Sequence, residues 1–439
     1  MTNILVVGSG GREHTLAWTM GANATVYCTP GNAGIARSAR TFDIKENDFD
    51  GLAALVRRNE IELTVVGPEA PLVGGIVDYW HDTGLVDQGH LIFGPTRDAS
   101  QLEGSKVFAK QFMAEYGIPT APFVIFSDPD KADQYVGSLL HDIVVKADGL
   151  AAGKGSIVCQ SLSQAETAVD RIMRQRKFGD AGSRVVIEDF MPGEEASLLV
   201  VCDGTNHHIL PASQDHKPVG DGDMGENTGG MGAYAPAPIV TPKVLRIVES
   251  EIIQPTLHGM NQKGMPFSGC LYIGLMIDEG APRVVEYNIR FGDPEAQVVL
   301  PLINNVSDLL MSAAQGRVLD AVVTPRYTAA CCVVLASEGY PRTYQKGFPI
   351  TGLDNVSQDN VSQDGVYVFH AGTKEEGSQI VTSGGRVLGV TGFSVLDNPE
   401  QAFRQAQGKA YQEVPKLRLE GSRFHYRTDI GDKALHHFS

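Results

Sequence analysis

Short apolar runs recur along the chain with helix-like or glycine-rich segments between them, the alternation that builds α/β units. "ILVV" (Ile4–Val7), "TVVG" (Thr64–Gly67) and "LIFG" (Leu91–Gly94) read as strands, and "EHTLAWTM" opens a helix after the first. This first unit ends between Pro95 and Glu103. A helix is predicted from Lys106, stopped by Gly117 and Pro119. Strands follow at "DIVVKADG" and "SIVCQ", then a helix through "SQAETAVDRIMRQ", then two strands in "RVVIEDFMPGEEASLLVVCDG" joined through Met191–Glu195. The polar, glycine-rich "SQDHKPVGDGDMGENTGGMGAY" is too long for a plain connection and reads as a functional loop. "CLYIGLMIDEGAPRVVEYNIRFGDPE" reads as a hairpin turning near Asp278–Pro282. From "TAACCVVLAS" a strand-rich tail runs to "TGFSVLD" and is closed by a helix from Pro399. Within it the duplication "NVSQDNVSQD" (Asn355–Asp364) reads as a polar loop insertion.

At 439 residues the chain holds two to four packed units. Its formal charge of −16 argues against a nucleic-acid surface, which demands clustered Lys and Arg, but not against small anionic substrates held by a few local cations. The opening "MTNILVVGSGG" turns directly into a strand–loop pattern without a signal-peptide profile, and no apolar run is long enough to span a bilayer. The six cysteines include no C-x-x-C pair, and Cys331 and Cys332 sit inside an apolar run. A reduced, cytoplasmic protein without membrane or nucleic-acid partners is expected.

Two phosphate-binding patterns come close to fitting. "KADGLAAGKG" (Lys146–Gly155) is not a P-loop: Gly149 and Gly153 are separated by three intervening residues rather than four, and Lys154 is followed by Gly155 rather than a hydroxyl residue. "GSGGREH" satisfies the dinucleotide fingerprint at Gly8 and Gly10 but has Glu13 at its third glycine position, and "TVYCTPGN" offers no acid for ribose hydroxyls. Gly10 and Gly11 still let backbone N–H groups and a helix N-terminus approach an anion, so a lone phosphate fits better than NAD.

In "VVEYNIR", strand alternation puts Glu286, Asn288 and Arg290 on one face. Oxygen ligands from Glu286 and Asn288 suit Mg²⁺ completed by nucleotide phosphates, and Arg290 can fork onto a carboxylate or phosphate. The competing reading is an exposed polar strand face. With Lys146 on a strand and a glycine-rich loop opposite, this makes a two-sided ATP site. Backbone groups near Glu188 and Phe190 would read the adenine edge, and Glu195 the ribose hydroxyls.

This arrangement resembles the ATP-grasp superfamily. The ordered motifs "GSGGREH", "PGNAG", "GPEAPL", "LEGSK", "KADGLAAGKG", "GEEAS", "SQDHK", "NTGGMGAY", "RFGDPE" and "HAGT" extend the likeness over nearly the whole chain, to the glycinamide ribonucleotide synthetase family of purine biosynthesis. The resemblance implies an α/β ATP-grasp fold with an N-terminal Rossmann-like domain (1–103), an ATP-grasp region (104–328) and a strand-rich C-terminal domain (329–439). The ATP-grasp region divides into a lid at about 122–192 and a central catalytic part at about 193–328. It implies ATP-dependent ligation of glycine to 5-phosphoribosylamine through a glycyl phosphate, giving glycinamide ribonucleotide, ADP and phosphate, by a monomer or weak homodimer.

On that basis Arg290, Lys146, Asp215 and Lys217 are the expected catalytic residues. ATP is expected on Lys106, Lys146, Gly149, Gly153, Lys154, Gly155, Glu188, Phe190 and Glu195. The other substrates are expected on Gly10, Gly11, His14, Asn32, Glu69, Asn227, Gly229, Gly230, Arg290 and Asp293, and Mg²⁺ or Mn²⁺ on Glu286 and Asn288. Gly149–Gly155 would close as a lid, with Lys154 its cation. Two departures stand out: Gly274–Met276, facing Glu286, carries no second acidic metal ligand, and Glu226 stands where related sequences commonly show proline. The rival readings are another ATP-grasp ligase, such as a carboxylase, an NAD-dependent oxidoreductase, and a non-catalytic nucleotide sensor.

Overall fold

The computed structural model describes residues 1–151, 155–356 and 365–438. Strands Arg40–Thr41, Ala24–Pro30, Thr2–Gly8, Leu63–Val66 and Leu91–Phe93 form, in that order, a parallel five-stranded sheet. Both faces are covered, which is why these strands read as continuous apolar runs. Leu5 and Val7 pack to one side, and Ile4, Val6, Leu63 and Val65 to the other.

Residues Phe123–Asp189 build a separate four-stranded antiparallel sheet with helices Pro129–Val136 and Leu162–Val169 and a core of its own. The second helix runs on through a π-helical turn at Asp170–Arg174. Asp148 ties this sheet to the helix Lys106–Glu115: its carboxylate accepts from the Val107 N–H at 3.1 Å and the Ser105 hydroxyl at 2.8 Å. That satisfies donors a helix start leaves unpaired.

The central sheet is antiparallel, in the order His207–Ile209, Glu194–Asp203, Ser268–Asp278 and Ala281–Asn288. It too is buried on both sides. Leu198 and Val200 join the core containing Val248 and Ile252, while Leu199 and Val201 join the core shared with the first strand.

Three expectations are corrected. The stretch Gln214–Tyr234 is ordered structure rather than loop. It contains strand Gln214–Asp215, a hairpin of Pro218–Gly220 with Met224–Asn227, and strand Gly232–Ala235. The last of these pairs with Ala329–Ser337 and the first pairs with the last, so the C-terminal sheet takes in strands from both sides of position 329. Finally, the helix Pro399–Glu413 does not close the chain; short strands at Arg418–Leu419 and Phe424–His425 and a helix at Asp432–Leu435 follow. Of the duplicated segment, residues 357–364 lie outside those described. Among the described residues, no helix is long and apolar enough to cross a membrane.

Candidate active site

A cavity of about 530 Å³ opens where the four larger sheets approach one another. Its central wall is the hairpin of Ser268–Asp278 and Ala281–Asn288, which carries an irregularity the sequence does not advertise. Gly274 faces Glu286 but Leu275 faces Val284, leaving Val285 as an extra residue. A bulge of this kind resets strand parity. Val284 and Tyr287 stay in the core, while Val285, Glu286 and Asn288 turn to the cavity. The glycine opposite Glu286 supplies no second carboxylate.

Glu286 stays ionised in this wall. Burial alone would raise its pKa, but Lys106, Lys217, Lys146 and Arg290 outweigh that and bring it below the ordinary carboxylate value. Lys106 Nζ lies 3.9 Å from its Oε2. Lys146 donates to the Val285 carbonyl at 3.1 Å, so the bulge also supplies an anchor for the lysine opposite.

Behind Lys146 lies a buried cluster that sequence reasoning passed over. The Glu188 side chain sits between the ammonium groups of Lys146 and Lys110. Burial opposes its charge, yet the two lysines lower its pKa. Lys110, pulled down by burial and by Lys146 against the attraction of Glu188, comes to about 8. It also donates to the Thr120 hydroxyl at 2.7 Å. Glu188 therefore acts through its carboxylate, in addition to any backbone contact with a nucleotide.

On the adjoining wall Lys217 pairs with Glu195 and lies 3.8 Å from Asp215. Burial raises Asp215 to about 7, with Lys217 pulling the other way and Glu295 and Glu195 adding to the rise. Lys217 keeps its charge: burial works against it, but Asp215 and Glu195 raise its pKa well above the ordinary range. Glu195 is thus engaged by Lys217 rather than standing free. The Tyr272 hydroxyl donates to Glu295 at 2.8 Å and contacts the Ser197 hydroxyl at 2.7 Å.

Arg290 lies just past the strand's end and does line the cavity, but its fork is occupied. Nη2 donates to Glu103 at 3.2 Å, Nη1 to the Phe291 carbonyl at 3.2 Å, and Nε stands 3.3 Å from Glu69. Glu103 also accepts the Ile289 N–H at 2.8 Å, fixing the chain there. Beside it, Arg386 donates to the carbonyls of Gly229 and Asp293 and stands 3.5 Å from the Asp293 carboxylate. Glu103 belongs to the motif "LEGSK" but was not among the expected site residues, and Arg386 lies in none of the motifs. Asn227 and Gly229 line the cavity; Gly230 is packed on the Pro294 ring at φ +112°.

Some expected residues do not reach the cavity. His14 is buried, its Nδ1 accepting the His370 N–H at 2.7 Å. Asn32 spends its amide on the carbonyls of Ser9 and His370 and its oxygen on the N–H groups of Gly34 and Ile35. Both hold the first loops against the C-terminal sheet and do not line the cavity. At Gly10 the N–H is given to Glu13 at 2.6 Å. A Cβ at Gly8, Gly10 or Gly67 would run into the Glu13 carboxylate, so these glycines make room for an acid where a dinucleotide fold needs an open phosphate approach. Gly11 is packed on Gln297. Phe190 lines the cavity, but its N–H is donated to the Asp142 carbonyl at 3.1 Å and is not free for adenine. Gly149, at φ +136°, and Gly155 border the opening; Gly153 and Lys154 lie outside the described residues. Among the described residues no group of three or more His, Cys, Asp or Glu is arranged for a metal; Glu286 and Asn288, the expected ligands, both line the cavity.

Comparison with known proteins matches three family models in sequence order. Phosphoribosylglycinamide synthetase N domain matches residues 2–103, its ATP-grasp (A) domain 104–296 and its C domain 330–433. A phosphoribosylamine–glycine ligase of Vibrio vulnificus (strain YJ016) is 48% identical over 442 residues, covering 99% of this chain and 98% of the relative. The crystal structure of phosphoribosylamine–glycine ligase from Thermotoga maritima superposes with a TM-score of 0.82 at 32% identity, over 98% of this chain and 100% of that one. A biotin carboxylase–β,γ-ATP complex from Campylobacter jejuni shares the fold alone, with a TM-score of 0.71 at 13% identity over 99% of this chain and 94% of that one.

Proposed function

The chain belongs to the phosphoribosylglycinamide synthetase family, and from that membership we infer that it joins glycine to 5-phosphoribosylamine with conversion of ATP to ADP and phosphate. The observation that carries the reading is a single cavity with an ionised Glu286 and Asn288 on one wall and Lys106, Lys146 and Lys217 around them.

A carboxylate is a poor electrophile until one oxygen becomes a leaving group. In the proposed first step a glycine oxygen attacks the γ-phosphorus, the bond to the β-phosphate breaks, and glycyl phosphate and ADP result. Lys106 and Lys146 neutralise phosphate oxygens, Lys146 being held toward the cavity by Glu188 and the Val285 carbonyl. Glu286 and Asn288 suit Mg²⁺ or Mn²⁺, which would neutralise charge on the ATP phosphates. In the second step the amine attacks the acyl carbon, phosphate leaves, and the nitrogen loses a proton. Asp215, poised near neutrality beside Lys217, is the proposed acceptor. Arg290, fixed by Glu69 and Glu103, presents its charge to the glycine carboxylate rather than swinging onto it. A cytoplasmic site of action belongs to the same reading.

Two measurements test it. ADP release should require both glycine and phosphoribosylamine, and ADP formed at the full rate without glycine would overturn the reading. The rate of the amine step should rise with pH through about 7, and this limb should vanish in Asp215→Asn. Because the folded value lies above the ordinary 3.8, Asp215 contributes stability that is fully present below 3.8 and lost as pH rises through about 7. Urea midpoints for wild type and Asp215→Asn should diverge over that window.

A further inference from the structure

The hairpin Pro218–Asn227 joins Lys217 at one end to Asn227 at the other, both on the cavity. Its base is cross-tied, the Lys217 carbonyl accepting from the N–H of Thr228 at 2.8 Å and from its hydroxyl at 2.7 Å. An isolated two-stranded hairpin is marginal in water. This one has little apolar anchoring: all of Met224–Asn227 is exposed, and Met224 is 69% exposed.

What holds it comes from the far end of the sequence. Arg427 has a fully buried side chain. Its Nη1 donates to the Pro218 carbonyl at 3.2 Å and to Asp223 at 2.9 Å, while Nε and Nη2 fork onto Asp429 at 2.7 and 2.6 Å. Asp429 in turn accepts the Gly222 N–H at 2.8 Å. Asp221 accepts from the Thr428 N–H at 2.8 Å and hydroxyl at 2.6 Å, and Lys433 reaches Asp223 at 2.5 Å. His425 Nε2 contacts the Val219 carbonyl at 2.7 Å, and the Gly431 N–H donates to His216 Nε2 at 3.4 Å, between Asp215 and Lys217. Apart from the Arg427–Asp429 fork inside the tail, these ties run from the tail to this hairpin and its leading strand, and one exposed pair, Arg342 with Glu226 at 2.6 Å, reaches the hairpin from elsewhere. A buried guanidinium is costly unless it is hydrogen-bonded and paired, and here each of its three nitrogens donates to the hairpin or to the acid that binds it.

We propose that the segment His425–Lys433 is a strap that positions the Asp215–Lys217 pair and the Asn227–Gly229 corner, with Arg427 as its positioning residue. Arg427 touches no reacting atom; it acts by denying the hairpin the freedom to tilt Lys217 away from Glu195 and Asp215. A strap of this kind affects turnover more than nucleotide affinity, because Lys106 and Lys146 stand on other elements.

The inference rests on the ligase reading, so wild-type ligation measured alongside tests that reading separately. Two sets of variants test the strap in the full chain. Arg427→Lys keeps the charge but loses the fork. Asp221→Asn with Thr428→Val breaks an exposed tie without leaving a charge buried, and so preserves folding. In both, amides of residues 218–227 should exchange faster by hydrogen–deuterium exchange while those of the first sheet are unchanged. kcat for ligation should fall by about tenfold or more in Arg427→Lys, with the KM for ATP within about twofold of wild type. Unchanged exchange in the hairpin would overturn the proposal. So would a loosened hairpin that ligates at the wild-type rate.

Discussion

Glu286→Gln is expected to ligate at least about 100-fold more slowly than wild type at saturating ATP, the scale of a lost transition-state stabiliser. The substitution keeps shape and removes charge. In the native wall that charge is sustained against burial by Lys106, Lys217, Lys146 and Arg290, so a neutral amide leaves these cations without their common counter-charge. The side chain is 31% exposed and lies opposite a glycine, so little packing is lost and the thermal midpoint should move only slightly. The deficit should be steepest at low Mg²⁺ and remain when the metal is raised. Wild-type turnover at low Mg²⁺ would reduce Glu286 to a surface carboxylate that happens to border the cavity.

Glu188→Gln should lower folding stability by roughly 3 kcal/mol at neutral pH, because removing one partner of a buried ion cluster strands the others. Here two ammonium groups, Lys110 and Lys146, lose the carboxylate between them. The pH dependence has a definite sign. Glu188 is held below its ordinary 4.5, so its contribution is complete above 4.5 and is lost as pH falls through the lowered folded value. The gap between wild type and variant, read from urea midpoints, should therefore close in acid. Adding Lys110→Met to Glu188→Gln should recover part of the loss. A single variant as stable as wild type at pH 7 would mean that the cluster contributes no net stability.

The reach of the sequence is visible in these two residues. Glu286 and Asn288 could be found because strand alternation is a local rule, and the parallel sheet could be found because its strands are buried on both faces. The bulge at Val285 could not, since it is defined by pairing with a strand whose own residues look regular. Glu188 was noticed for its backbone while its carboxylate does the binding, because both lysines it holds are distant in sequence. His14 and Asn32 mislead in the opposite way: one follows the glycines at the start of the helix Gly11–Met20 and the other lies in a glycine-rich loop, both resembling anion sites, but their polar atoms are consumed by His370 and neighbouring backbone. Arg427 and its partners lie on segments too far apart for any motif to join them.

The pairing of Gly232–Ala235 with Ala329–Ser337 also sets an order of events during synthesis. The earlier strand leaves the ribosome long before its partner exists, and until then it presents an unpaired edge of the sort that invites association with other chains. The residues bordering the cavity from Asp215 to Gly229 lie between Gln214–Asp215 and Gly232–Ala235, which pair with each other and join the rest of their sheet only through that later strand. A nascent or prematurely terminated chain can therefore complete its first sheet and the separate four-stranded sheet of residues 123–189 yet lack a finished cavity. Production of a working molecule is decided by its last quarter.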